Sequence, residues 1–121
     1  MSKKILVIDD EPDLVDVVKA RLELNHYQVI SAKDGQEGLE KVKKEKPDLV
    51  ILDIMMPRMD GYTFVLEFKK IADLKKTPII VLTAKDQLQD IFKVEGVTEY
   101  VVKPFESEKL IEKVDRLLAT S

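Results

Sequence analysis

Five polar residues stand directly behind apolar runs. Asp9 and Asp10 follow Ile5-Leu6-Val7-Ile8, Asp53 follows Leu49-Val50-Ile51-Leu52, Thr83 follows Ile79-Ile80-Val81-Leu82, and Lys103 follows Tyr100-Val101-Val102. Carboxylates gathered in one place repel by roughly 1–4 kcal/mol per close pair at surface-like dielectric. Such a cluster needs positive charge, and Lys103 supplies part of it. A hard divalent cation would supply more. Mg²⁺ fits, because it takes one or two carboxylates, keeps several waters and completes its shell with phosphate oxygens. A carboxylate is also a nucleophile toward phosphorus, giving an aspartyl phosphate. Mg²⁺, an ammonium and a hydroxyl would neutralise the transferred group. A single Asp behind a strand is ordinarily a turn residue or a helix N-cap. It is the set, on one edge, that points to phosphoryl chemistry.

That edge exists only if the runs are parallel strands. Ile5–Ile8, Leu49–Leu52 and Ile79–Leu82 are unbroken, the pattern of strands buried on both faces; Val29-Ile30 and Tyr100–Val102 are shorter. Between them the period becomes helical. Leu14, Val17, Val18 and Leu22 share a face, as do Phe64, Val65, Phe68 and Ile71. Leu110, Ile111, Val114, Leu117 and Leu118 form the cleanest stripe. Pro12 suits a first helical turn, and Asp34 with Glu37 reads as a capping box. Pro47, Pro78 and Pro104 stand beside strand ends, where no helix continues. The order is strand then helix, five times over, which predicts an α/β domain with a parallel sheet covered on both faces. In such a sheet the C-terminal strand ends share one edge, and ligands bind there where strand order reverses. The segment Lys85 to Glu95 carries the weakest helical pattern, with Leu88, Ile91 and Phe92 spanning barely two turns.

Composition narrows the function classes. The chain has 121 residues, 45% hydrophobic and 36% charged, which predicts one folded domain over 1–121 rather than a disordered chain. There is no Cys, which excludes disulfide scaffolds, zinc ribbons and thiol catalysis and fits a reducing compartment. His26 is the sole histidine, so a multi-His metal site is excluded. It falls in a polar connection and reads as a solvated loop residue. The net charge of −3 disfavours direct nucleic-acid binding. Lys41, Lys43 and Lys44 alternate with Glu37, Glu40 and Glu45, a solvated face rather than a basic patch. Phe64 and Phe68 read as core. The apolar runs are far shorter than the roughly 20 residues of a membrane span, and the start lacks the features of a signal peptide. The expectation is a soluble cytoplasmic protein.

Taken together, the pieces resemble the receiver domain of bacterial two-component response regulators. They are Ile8-Asp9-Asp10-Glu11, Asp53-Ile54-Met55-Met56-Pro57, Met59-Asp60-Gly61, Leu82-Thr83-Ala84 and Tyr100-Val101-Val102-Lys103-Pro104-Phe105. The resemblance covers essentially the whole chain, and the motifs occur in order at the expected spacings. It implies a flavodoxin-like five-stranded parallel sheet, order 2-1-3-4-5, flanked by five helices. It implies Asp53 as the phosphoacceptor and modified residue. It implies a Mg²⁺ site from Asp9, Asp10, Asp53 and the backbone carbonyl of Met55, with Asp10 the direct ligand ahead of Asp9. Thr83 and Lys103 match the phosphate-sensing pair, Thr83 and Tyr100 the switch, and the Lys103–Pro104 peptide one that is cis in the family.

The implied function is a phosphoacceptor signalling domain, not a conventional enzyme. It would catalyse its own Mg²⁺-dependent phosphorylation from a sensor histidine kinase or histidine phosphotransfer protein. It would then signal to a downstream protein through the face of the fourth helix, fifth strand and fifth helix, as a monomer or weak dimer. Met55 and Lys85, two positions after Asp53 and Thr83, flank the path of an attacking water in this fold. Neither positions or deprotonates water well, so dephosphorylation is expected to be slow. One departure stands out: between Thr83 and Gly96 the chain is a couple of residues shorter than the usual pattern, which bears on the output face. Rival readings fare worse. A flavodoxin-like cofactor module would want a Ser/Thr/Gly-rich phosphate loop where Asp9-Asp10-Glu11 stands, and no G-x-G-x-x-G or Walker loop is present. A phosphatase with an Asp nucleophile would need a cap. A vestigial scaffold would not need Asp10, Asp53, Thr83 and Lys103 together. With the sequence ending at Ser121, a stand-alone regulator and an excised receiver both stay open.

Overall fold

A computed structural model describes residues 3–53, 61–71, 76–84, 97–103 and 105–119. Strands and helices alternate: β1 (Lys4–Ile8), α1 (Pro12–Leu24), β2 (Gln28–Ala32), α2 (Gly35–Glu45) and β3 (Leu49–Asp53). Then come α3 (Gly61–Lys69), β4 (Ile79–Ala84), β5 (Glu99–Lys103) and α4 (Ser107–Ala119), the last being the fifth helix of the sequence pattern. The helix expected over Lys85 to Glu95 lies outside the described residues, as do Met55, Lys85 and Pro104 with its peptide bond. No helix among the described residues is long and apolar enough to cross a membrane.

The strands form one sheet in the order β2-β1-β3-β4-β5, the expected topology. Every neighbouring pair is parallel, with Leu6 opposite Val50, Ile51 opposite Ile80 and Leu82 opposite Val101. Unbroken apolar runs are what such central strands require, because alternate residues enter two separate cores. Leu6, Ile8, Val50, Leu52, Ile79 and Val81 face α2 and α3, meeting Val42, Phe64, Val65 and Phe68. Ile5, Val7, Leu49, Ile51, Ile80 and Leu82 face α1 and α4, meeting Val18, Leu22, Leu110, Val114 and Leu118. Phe64 and Phe68 are fully buried and stack with ring centroids 5.7 Å apart, so they are core.

Local signals set the helix ends. Asp34 caps α2 by accepting from the Glu37 N–H at 2.8 Å. The Glu37 carboxylate reaches back to the Lys33 N–H at 2.7 Å, one residue before the cap rather than on it. Pro12 opens α1. After α1 the chain turns through Asn25 and His26, which is exposed with φ 71°. That turn leads into the start of β2, so His26 lies at the opposite edge of the sheet from Asp9, Asp53 and Lys103.

Candidate metal and phosphoryl site

At the C-terminal edge the strands deliver their polar residues to one place. Parallel pairing sets Asp53 opposite Leu82 and Thr83 opposite Val102, so Asp53, Thr83 and Lys103 come from adjacent strand ends. Asp9 is tied across to β2, its N–H donating to the Ala32 carbonyl at 3.1 Å. Asp9, Asp53 and Thr83 are buried, whereas Asp10 is exposed. The site therefore has a buried floor and a solvent-facing rim.

Lys103 is the counter-charge on that floor. Its ammonium lies 3.2 Å from Asp53 Oδ2, 3.5 Å from Glu11 Oε1 and 3.7 Å from Asp9 Oδ2. Burial alone would pull its pKa down. The charges of Asp53 and Asp9, the hydrogen bond to Asp53 and the Glu11 charge outweigh that, and the net direction is up. The ammonium is thus held firmly charged.

Asp9 is the strained partner. Oδ1 accepts from the Glu11 N–H at 2.9 Å. Oδ2 is buried and, among the described residues, has no hydrogen-bond partner. Burial pushes the Asp9 pKa up to about 6; the Glu11 N–H opposes, the Asp53 charge adds, the Lys103 charge opposes, and the Glu11 charge adds. One carboxylate oxygen from each of Asp9, Asp10, Glu11 and Asp53 lies within 4.8 Å of the others. An all-oxygen set with a buried carboxylate atom that makes no hydrogen bond among the described residues suits a hard divalent cation. These residues fit Mg²⁺ in donor type and charge.

The structure thus brings together Asp9, Asp10, Asp53 and Lys103, with Thr83 beside them at the end of β4. Met55 lies outside the described residues. Tyr100 is half-buried on β5, opposite Val81, and packs against the core under α2 and α3. Thr83 stands two residues beyond Val81, so Thr83 and Tyr100 belong to the same face of the sheet. Glu11 is a member of the carboxylate group to which sequence reasoning gave no role. Its signal was its place, directly after Asp9-Asp10 and just before a helix-opening Pro12.

The site can be compared with known proteins. The model of the response regulator receiver domain family matches residues 5–115. The chain is 40% identical to the alkaline phosphatase synthesis transcriptional regulatory protein PhoP of Bacillus subtilis, over 100% of this chain and 50% of that protein. It therefore spans about half the length of that curated relative. It is 35% identical to protein PilH of Pseudomonas aeruginosa, over 96% of this chain and 98% of that one. Among solved structures, response regulator protein TrrA of Thermotoga maritima, in complex with Mg²⁺-BeF, superposes with a TM-score of 0.85 at 39% identity. The match covers 95% of this chain and 98% of that one. Agreement of sheet order, strand-end chemistry and sequence over nearly the whole length places this chain in the response regulator receiver domain family, the phosphoacceptor signalling domains of two-component systems.

Proposed function

We propose that the chain takes a phosphoryl group from a phosphohistidine donor onto Asp53. The observation that carries this is the Asp53 carboxylate on the buried floor, 3.2 Å from the Lys103 ammonium, with Asp9 Oδ2, which has no hydrogen-bond partner among the described residues, beside it. An Asp53 oxygen attacks phosphorus in line with the leaving imidazole. The new P–O bond forms as the P–N bond breaks, and the P–N electron pair stays on the imidazole nitrogen. Little covalent chemistry is left for the protein, so positioning and charge stabilisation do most of the catalysis. Lys103 follows the developing charge onto a phosphoryl oxygen, and the Thr83 hydroxyl donates to another. Asp9, Asp10 and Asp53, with the Met55 carbonyl assigned on family resemblance, would hold Mg²⁺; when bound, it supplies charge neutralisation at the phosphoryl oxygens.

The product adds up to about two negative charges at pH 7. Thr83 turns toward them, and Tyr100, on the same sheet face, turns into the space it leaves. This is a two-state shift biased by the phosphorylated site. The donor is a sensor histidine kinase or histidine phosphotransfer protein, met in the cytoplasm. Output passes to a downstream protein through the face of β5, α4 and the segment before β5, from a monomer or weak dimer. Without a good water-positioning residue at Met55 or Lys85, the phosphate is lost slowly.

The bond type tests this reading. Protein labelled by acetyl phosphate with Mg²⁺ should lose its label rapidly in neutral hydroxylamine, as an acyl phosphate does. A hydroxylamine-stable label would place the phosphate on a hydroxyl and contradict Asp53.

A further inference from the structure

β2 is an edge strand, with β1 on one side and no strand beyond it among the described residues. The Gln28 N–H donates to the Lys3 carbonyl at 2.9 Å, and the Ala32 carbonyl accepts from the Asp9 N–H at 3.1 Å. In a parallel ladder alternate residues bond the same neighbour, so Gln28, Ile30 and Ala32 turn their backbone groups to β1. Val29 and Ser31 turn theirs outward, and Lys33, directly after the strand, continues that side. Two of the outward groups are taken by side chains of α2. The Lys41 ammonium donates to the Ser31 carbonyl, and the Glu37 carboxylate accepts from the Lys33 N–H at 2.7 Å. Glu37 and Lys41 stand one turn apart on α2 and are half-buried, whereas Glu40, Lys43 and Lys44 are exposed.

We propose that this edge is a guarded pairing surface for a second copy of the chain, and that Lys41 and Glu37 keep the protein from associating through it. A copy of β2 related by a two-fold axis runs antiparallel. With Ser31 at the axis, each Ser31 exchanges N–H···O=C bonds with its copy, and each Lys33 N–H meets the Val29 carbonyl of the other copy. The Ser31 carbonyl and the Lys33 N–H are the acceptor and donor that Lys41 and Glu37 already hold. An open row of such groups is otherwise a template for another chain. The guard also keeps the site accessible. Ser31, Lys33, Glu37 and Lys41 wall a cleft of about 300 Å³ that reaches Asp9 and Asp10, and a strand laid on this edge would cover it.

The test is sedimentation of the full chain over a concentration series, with hydrogen exchange read at the Ser31 N–H. Lys41→Ala removes one donor, adds no apolar surface and leaves the Asp34 cap of α2 in place. Its self-association constant should rise at least about tenfold over the parent's, the scale of one released hydrogen bond in each of two chains. Lys41→Ala/Glu37→Ala should associate more tightly again, and its Ser31 N–H should become protected as concentration rises. Lys41→Arg/Glu37→Gln keeps a donor and an acceptor and should sediment like the parent. Ser31→Pro removes the outward N–H without touching the β1 ladder, so adding it to the double-alanine variant should return association to the parent's level. The single variant decides the question if the double variant does not fold. Alanine variants that melt lower but associate no more than the parent would make Lys41 and Glu37 anchors of α2 alone and overturn the proposal. So would association that survives Ser31→Pro, since it runs through another face.

Discussion

A buried carboxylate oxygen without a hydrogen bond is costly, and among the described residues Asp9 Oδ2 is one, with the Lys103 ammonium 3.7 Å away, beyond hydrogen-bond distance. The cost comes from desolvation and from the neighbouring Asp53 and Glu11 charges, which Lys103 only partly offsets. Replacing it with a neutral group of the same shape should therefore stabilise the metal-free protein. Asp9→Asn should raise the melting temperature without Mg²⁺ by about 4 °C, the equivalent of about 1 kcal/mol in a domain of this size. Mg²⁺ should stabilise the parent by mass action, by about 1.4 kcal/mol at ten times its dissociation constant. Asp10→Ala should lose that gain, as thermal melting at increasing Mg²⁺ will read; an equal gain in both proteins would remove Asp10 from the ligand set. The strand-end residues were legible because a parallel sheet turns sequence-distant positions into neighbours on one edge. Glu11 was not, because nothing in its spacing says whether a helix-opening carboxylate caps its own helix or reaches across to Lys103.

Among the elements, the central strands were the easiest to read, since double-sided burial demands the unbroken apolar runs of β1, β3 and β4. The edge strand β2 announced itself only through Val29-Ile30, because an edge strand has one neighbour and tolerates an exposed Gln28. Gly38 gave no sign of its role. A Cβ there would lie 2.6 Å from Ile8 Cδ1 and 3.2 Å from Phe64 Cε2, so with any side chain at this residue Ile8 or α2 must shift. Gly38→Ala gains about 1 kcal/mol of helix propensity but overpacks a filled core, which costs about 1–3 kcal/mol. The net should be a loss of about 1 kcal/mol, or about 4 °C in melting temperature. Adding Ile8→Val removes the nearest atom, so the double variant should be more stable than the sum of the single changes by about 1 kcal/mol. Strict additivity would show that the contact does not limit the packing of α2.

At the scale of the whole molecule, the sheet links the site to a surface. Thr83, one residue before the end of β4, follows the Leu82 that pairs with Asp53, and Tyr100 on β5 shares its face of the sheet two residues back in register. If that link transmits the signal, Thr83→Ala should still take phosphate on Asp53 but lose the change in Tyr100 ring resonances that phosphorylation produces in the parent. An unchanged response in the variant would route the signal elsewhere. The parallel sheet with a core on each face followed from periodicity, the strand order from the family resemblance, and the comparisons with known proteins agree with both. The output face did not follow so far, because the short segment between Thr83 and Gly96 has few apolar positions to fix a helix. One direct measurement tests whether Asp53 is the phosphoacceptor. Parent and Asp53→Asn proteins are incubated with acetyl phosphate and Mg²⁺ and weighed intact by mass spectrometry. One added phosphoryl group is expected on the parent and none on the variant. Equal labelling of both would contradict that assignment.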